Sequence, residues 1–292
     1  MGESYDDSGH LLAVAANVVS LAHVRRIEEA LEIAGIDVVR LKGSGYLGTL
    51  YPTFDRRMVD VDLLVRPVER PRARRVIQQC GYSVVPPPRH WRYSWHQHYN
   101  WQFVGEGVRP LIELHHALCA AGLFDIDSDG LVDRRVRRND GVSQMYTLCP
   151  EDALLHLGVH LVKDGYEHDE RLPADAARLI EHWRPDWDVV VERAHRWRVT
   201  AGLRYVLEEA RAAGAQVPES ALEGLGSEAR GAAIRAIVGE LGPLRSQALR
   251  FTKLAVLALE PHGARNLARF ASRYALRRSV DAAYAIGPDR FE

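Results

Sequence analysis

The sequence predicts an α+β protein, with a small mixed β-sheet and its helices in the N-terminal half and an all-helical bundle in the C-terminal half. Two observations carry this prediction. Between residues 37 and 115, short stretches alternate apolar and polar residues, which is typical of strands. After about residue 147, apolar residues recur every three or four positions, which is typical of helices. The change of period predicts two domains, residues 1–146 and residues 147–292.

The N-terminal domain is predicted to begin with a helix over residues 10–34 that packs on the sheet. Its apolar stripe is assigned to Leu12, Ala15, Val19, Ala22, Leu31 and Ala34, and Gly35 ends it. A helix is also predicted at 69–79. The predicted strands are 37–41, 58–65, 82–85, 92–98, 101–104 and 109–115.

The C-terminal domain is predicted to contain helices only. The first begins at Pro150-Glu151-Asp152, because proline and acidic residues favour the first turn of a helix. The predicted helices cover residues 150–164, 171–183, 187–197, 200–214, 219–239, 244–260 and 262–285.

Composition limits the function classes. The chain has 292 residues and a net charge of −1, which argues against broad nucleic-acid binding, since this usually needs a basic face. No apolar run approaches the ~20 residues that span a bilayer, and the N-terminus lacks the order of a signal peptide. The three cysteines are widely spaced and indicate reduced thiols. We therefore expect a cytoplasmic protein without a transmembrane segment.

The strand predicted at 58–65 carries two acidic residues on one face. Side chains alternate along a strand, so Asp60 and Asp62 point to one side and Val61 and Leu63 to the other. Two neighbouring carboxylates repel each other by about 1 kcal/mol or more, depending on solvent exposure. A hard divalent cation such as Mg²⁺ or Mn²⁺ relieves this repulsion.

A third acidic residue lies on a later strand. Glu113 and His115 share one face of the strand at 109–115, while Ile112 and Leu114 share the other. If this strand lies beside Asp60 and Asp62, three carboxylates converge and can hold two divalent ions with the phosphates of a nucleotide. Glu113 is also a candidate to accept the proton of an attacking hydroxyl.

The glycine-rich turn before these acids predicts a phosphate site. Backbone N–H groups of Gly43-Ser44-Gly45 can contact phosphate oxygens, and Ser44 adds a hydroxyl donor. Lys42, Arg56 and Arg57 supply positive charge for a triphosphate. Together with the acids, this turn indicates a nucleotide-binding site.

These motifs, in this order, resemble the uncharacterised nucleotidyltransferase family of the DNA polymerase β-like superfamily. The resembling segments are Val39 to Ser44, Leu50-Tyr51-Pro52, Arg56 to Val65, Cys80-Gly81-Tyr82 and Ile112 to His115. The resemblance implies a nucleotidyltransferase-like N-terminal domain in which Asp60, Asp62 and Glu113 bind Mg²⁺. It implies that Gly43 and Ser44 hold the nucleotide. It also implies an enzyme, an ATP-binding or other NTP-binding transferase that moves a nucleoside monophosphate to a hydroxyl of an unknown small molecule, peptide or protein.

Two alternatives remain open from the sequence. Val59 stands where the family usually has glycine, so the chain is alternatively a catalytically inactive binding module with the same fold. His156 and His160 share a helix face and, with Asp164 or Asp175, form the centre of a hypothetical metallohydrolase. Under the leading hypothesis, His115, His156, His160 and Asp175 are candidates for contacts with the acceptor or with the metal ligands.

Overall fold

The structure is a computed structural model that describes residues 7–52, 58, 60–85, 99–120, 123–163, 171–241, 258–259 and 263–283. The chain divides into two compact units. The first comprises Met1–Pro87, Tyr99–Ala117 and Asp127–Cys149; the second comprises Pro88–His98, Leu118–Ile126 and Pro150–Glu292. A mixed sheet together with many helices confirms the predicted α+β class.

The first unit is built on a seven-stranded mixed sheet within the described residues. The strands are β1 (Val38–Leu41), β2 (Asp60–Val65), β3 (Tyr82–Val84), β4 (Asn100–Gly105), β5 (Leu111–His115), β6 (Val136–Asn139) and β7 (Gln144–Thr147). Their order across the sheet is β3-β4-β5-β2-β1-β7-β6. The alternating pattern predicted β1 to β5, whereas β6 and β7 are short and were not predicted. The strand expected at 92–98 lies outside the described residues.

Strand β2 lies in the middle of this sheet. It pairs antiparallel with β1 and parallel with β5. In this register Asp62 is opposite Leu41 on β1 and Glu113 on β5. Paired positions on adjacent strands present their side chains on the same face. Two predicted acidic residues are therefore direct neighbours across the β2–β5 pair.

The helices of the first unit are α1 (Asp7–Ile33), α2 (Lys42–Tyr46), α3 (Arg70–Gln79) and α4 (Ser128–Asp133). The predicted stripe of α1 was only partly right: Leu31 is buried and Val19 and Ala34 are half-buried, but Leu12, Ala15 and Ala22 are exposed. The buried face contains Leu21, Val24, Ile27 and Leu31. Large aliphatic side chains bury more apolar area than alanines, so they determine which face of the helix packs inward.

A buried ionic network joins α1 to the sheet. The Arg40 guanidinium on β1 donates to both Glu28 carboxylate oxygens, at 2.7 and 2.5 Å, and to Asp140 Oδ2 at 3.2 Å. Arg25 of α1 also donates to Asp140, which lies in the β6–β7 turn. Asp140 accepts backbone N–H groups of Val142 and Ser143 as well. The network therefore satisfies a fully buried arginine and fixes three elements together.

The second unit is helical within its described residues. Its helices are α5 (Pro150–Lys163), α6 (Arg171–Trp183), α7 (Trp187–Trp197), α8 (Thr200–Ala212), α9 (Glu219–Leu225), α10 (Glu228–Leu241) and α11 (Gly263–Ala283). The single helix expected at 219–239 was wrong: Gly226 has a φ of 138°, which breaks the helix between α9 and α10. The helix expected at 244–260 falls largely outside the described residues.

Helices α5 and α8 approach each other closely at two glycines. A Cβ atom on Gly158 would lie 2.9 Å from the Leu203 backbone nitrogen, and one on Gly202 would lie 3.0 Å from the Gly158 carbonyl oxygen. The first contact is shorter than real Cβ atoms show and the second is tighter than most, so this helix pair strongly favours glycine at both positions. Among the described residues, no helix is long and apolar enough to cross a membrane.

Candidate functional site

Asp62, Glu113 and His115 form a compact group on one face of the sheet. Asp62 and Glu113 are paired across β2 and β5, and His115 follows two residues later on the same face of β5. One ligand atom from each side chain lies within 4.8 Å of the others. Within the part of the chain that the structure describes, no second group of three potential metal ligands is this close.

His115 points a single ring nitrogen at both acids. Its Nε2 lies 2.7 Å from Asp62 Oδ1 and 3.3 Å from Glu113 Oε2. The ring is 1% exposed and packs at a tilt against Tyr99, with 5.8 Å between the ring centroids. Its other nitrogen, Nδ1, is buried and has no hydrogen-bond partner among the described residues. Nε2 is thus the nitrogen through which the ring meets polar groups.

Glu113 is fixed by two amides on the neighbouring strand. Asn100 Nδ2 donates to Glu113 Oε2 at 2.6 Å, and Gln102 Nε2 donates to Oε1 at 2.7 Å. Strand β4 pairs antiparallel with β5, with Gln102 opposite Glu113. Our sequence interpretation missed these amides, although their alternation on β4 is the signal that places both on one face.

Lys42 and Ser44 connect the glycine-rich turn to the acids. Lys42 Nζ lies 3.5 Å from Asp62 Oδ2, and the residue has a φ of 44°, which costs a non-glycine residue about 1–2 kcal/mol. Ser44 is 1% exposed, and its hydroxyl donates to the Leu41 carbonyl at 3.1 Å. In the structure the Ser44 hydroxyl stabilises the turn, and its expected contact with phosphate stays a prediction.

The close passage of α2 over β1 explains the glycine after Ser44. A Cβ atom at Gly45 would lie 3.0 Å from the Arg40 carbonyl oxygen. Such a contact is tighter than packed side chains normally allow. Packing therefore favours glycine at this position of the turn. Lys42, Gly43 and Ser44 remain the predicted residues for nucleotide contact.

Asp60 stands at the edge of this group. It begins β2, is half-buried, and is paired with Leu111, one step along the same face from the Asp62–Glu113 pair. Burial, and then the charges of Asp62 and Glu113, raise the pKa of Asp60, against an opposing effect of Lys42. Asp60 is therefore electrostatically coupled to the two acids although it is outside the compact group of three.

The pKa values of Glu113 and His115 shift in opposite directions. Burial alone would raise the pKa of Glu113, but hydrogen bonds from His115 and Gln102 outweigh it and lower the pKa. Burial alone would lower the pKa of His115, but Asp62 and Glu113 outweigh it and raise the pKa. Both shifts favour charged forms that attract each other.

A comparison with protein families decides the assignment. Residues 7–213 match the model of a family described as "Uncharacterised nucleotidyltransferase". The chain belongs to this nucleotidyltransferase family. The resemblance drawn from the sequence motifs is thereby confirmed. No curated protein and no solved structure matches the chain.

Nucleotidyltransferases generally use divalent metal ions, and the donor set in this member of the family suits one. Two carboxylates and an imidazole nitrogen converge from two adjacent strands, and a third carboxylate stands beside them. Burial, and after it the repulsion by Asp62 and Glu113, raises the pKa of Asp60, and a cation would relieve that repulsion. The residues present therefore fit a divalent ion.

The remaining predicted residues lie elsewhere in the chain. Arg56 and Arg57 fall outside the described residues, as does Val59. His156, His160 and Asp175 belong to the second unit, on α5 and α6. The rings of His156 and His160 are 6.4 Å apart, and His156 and Asp175 are buried. Their roles stay predictions.

Proposed function

We propose that the protein transfers a nucleoside monophosphate from an NTP to a hydroxyl group of a small molecule, peptide or protein, with loss of pyrophosphate. The proposed reaction depends on Mg²⁺ or Mn²⁺. Membership of the nucleotidyltransferase family supports the transferase class. The single observation that carries the metal-dependent reaction is the in-register pairing of Asp62 with Glu113, with Asp60 on the same face.

In this proposal, Asp62 and Glu113 hold the metal and Asp60 completes the acidic surface. A bound divalent ion would neutralise charge on the transferred phosphoryl group and on the leaving pyrophosphate. Asn100 and Gln102 keep the Glu113 carboxylate in one orientation, which suits a fixed ligand. Lys42, whose Nζ lies 3.5 Å from Asp62, would contact the triphosphate together with the backbone N–H groups of Gly43 and Ser44.

The contacts favour Asp60 over Glu113 as the acceptor of the proton from the attacking hydroxyl. Glu113 has both oxygens occupied by amide donors and a lowered pKa, so it is a weak base. Asp60 is half-buried and lies outside the compact group of Asp62, Glu113 and His115, so its carboxylate is not needed to hold the metal. We therefore assign the proton-accepting role to Asp60.

The test compares Mn²⁺ and ATP binding by the wild type and by a variant that lacks two of the carboxylates. Calorimetry with Mn²⁺ and ATP on the wild type and on Asp60→Asn/Asp62→Asn is expected to show binding only by the wild type. Asp129→Asn, which changes an exposed carboxylate of the same unit, is the matched control and should bind like the wild type. Equal binding by the double variant would count heavily against the proposal.

A non-catalytic binding module is the second candidate. It is favoured by the contacts of Asp62, since His115 and Lys42 can balance this carboxylate without an ion. Incubation with NTP labelled at the α-phosphate, Mn²⁺ and candidate acceptors discriminates the two. Metal-dependent release of pyrophosphate with label on the acceptor would eliminate the binding module.

A further inference from the structure

We infer that His115 is itself a metal ligand, and that the site therefore prefers a first-row transition-metal ion to Mg²⁺. This inference rests on the metal-dependent function proposed above. It replaces the three carboxylates that the family resemblance implies by two carboxylates and one imidazole nitrogen: Asp62, Glu113 and His115. Asp60 then remains available to the substrates.

The distances within the group match a shared ion. Ligand atoms that bind an octahedral ion at about 2.1 Å are about 3.0 Å apart when they are neighbours. His115 Nε2 lies 2.7 Å from one Asp62 oxygen and 3.3 Å from one Glu113 oxygen. All three donor atoms fall within 4.8 Å of one another. The bound ion would displace the Nε2 proton to solvent, as metal binding to histidine does, and a small movement of the side chains would bring the three donors around it.

The orientation of the ring is fixed before an ion arrives. His115 is almost completely buried, its ring rests against Tyr99, and its position on β5 sets it on the same face as Glu113. Nε2 is the nitrogen that points between the carboxylates. A ligand that is held in place loses little conformational entropy on binding. The imidazole is therefore preorganised as a ligand.

The chemistry of the donor atoms sets the preference. Mg²⁺ takes oxygen ligands in strict octahedral geometry and gives up its waters reluctantly. Imidazole nitrogen suits first-row transition metals, whose affinity for such ligands rises from Mn²⁺ towards Cu²⁺. One nitrogen among the protein ligands thus lowers the relative affinity for Mg²⁺. Mn²⁺ is the probe of choice because its unpaired electrons report directly on ligand nuclei.

The experiment is pulsed electron paramagnetic resonance of Mn²⁺ bound to the full chain. Spin-echo modulation from a directly bound imidazole nitrogen is expected in the wild type, and it should change when histidine carries the heavier nitrogen isotope. His115→Gln, which offers an amide oxygen instead, should abolish this modulation. His116→Gln, the neighbouring histidine that contacts Arg70, is the matched control and should retain it.

Calorimetry measures the selectivity of the site for Mn²⁺ over Mg²⁺. The wild type should bind Mn²⁺ more tightly than Mg²⁺. His115→Gln should reduce the ratio of the two dissociation constants by about tenfold or more. Loss even of groups that only support metal ligands changes metal affinity by about 10–100-fold. Isotope labelling of the wild type keeps the test valid if His115→Gln fails to fold.

The outcomes distinguish a failure of this inference from a failure of the proposed metal-dependent function. Bound Mn²⁺ without nitrogen modulation, or modulation that persists in His115→Gln, overturns the ligand role of His115 and leaves the carboxylate site intact. Absence of Mn²⁺ binding to the wild type overturns the inference and also counts against the metal-dependent function.

Discussion

At the scale of single residues, the acidic groups of the first unit differ in what surrounds them. Asp62 and Glu113 have an imidazole, a lysine and two amides as partners. Asp140, by contrast, accepts from two arginines and two backbone N–H groups, as a structural carboxylate does. The partners of the first pair are compatible with a bound ion, whereas Asp140 is held within the fold by two arginines and by the backbone of its own turn.

The surroundings of Asp140 predict that its contribution to the stability of the fold depends on pH. Burial would raise the pKa of Asp140, but hydrogen bonds from Ser143 and Val142 and the charges of Arg40 and Arg25 outweigh it and lower the pKa below its ordinary value of 3.8. A lowered pKa contributes stability that is present above pH 3.8 and is lost as pH falls through the folded-state pKa. Acid should therefore weaken this network.

The measurement is the free energy of unfolding in urea across a pH series. Asp140→Asn is expected to be destabilised by about 3 kcal/mol at neutral pH, because the buried Arg40 then keeps only Glu28 as a counter-charge and the half-buried Arg25 loses its contact with Asp140. The difference from the wild type should shrink as pH falls below 3.8. Asp129→Asn, at an exposed ion pair, should differ little from the wild type at any pH. A pH-independent difference for Asp140→Asn would contradict this account.

At the scale of elements, the two units depend on different kinds of contact. Strand pairing brings β2 and β5 together, so that their alternating patterns converge on one polar face. Helices α5 and α8 instead meet at glycines, where backbone contacts backbone. Replacement of glycine by a larger residue, which is harmless in an isolated helix, is therefore expected to destabilise this helix pair.

Gly158→Ala tests the helix contact. Alanine usually stabilises a helix relative to glycine by about 1 kcal/mol. At Gly158 the added Cβ atom would meet the Leu203 backbone at 2.9 Å, and overpacking of this kind costs about 1–3 kcal/mol. We expect a net loss of unfolding free energy in urea. Ser272→Ala, which introduces the same side chain at an exposed position of α11, should change stability by only a few tenths of a kcal/mol.

At the scale of the whole molecule, the family match extends beyond the sheet. Residues 7–213 include most of the first unit and the helices α5 to α8 of the second. The helical region up to α8 is thus part of what defines the family. Net charge near zero continues to predict that the acceptor is not a nucleic acid.

Metal binding should be visible in the stability of the whole chain. An ion that binds only the folded state stabilises it by about 2.7 kcal/mol when its free concentration is a hundredfold above Kd. We expect Mn²⁺ to raise the midpoint of urea unfolding relative to a sample in EDTA. Asp62→Asn should not respond to Mn²⁺, and an equal response in this variant would place the ion elsewhere.

The sequence by itself determined the elements and the chemistry on each face. Alternation placed Asp60 and Asp62 on one side of a strand and Glu113 with His115 on one side of another, and helical periodicity predicted α6 and α7 with their observed bounds. These features depend on neighbours within a few residues. Local patterns and the order of the motifs were also sufficient to identify the family.

Only the tertiary structure decided which of these faces meet. Asp62 and His115 are 53 positions apart in the chain, and no local pattern specifies the register between β2 and β5. No local pattern specifies which face of α1 is buried, that the Ser44 hydroxyl contacts the Leu41 carbonyl, or that the amides of β4 fix Glu113. Each depends on partners far away in sequence, because packing and strand pairing select among local possibilities that are nearly equal in free energy.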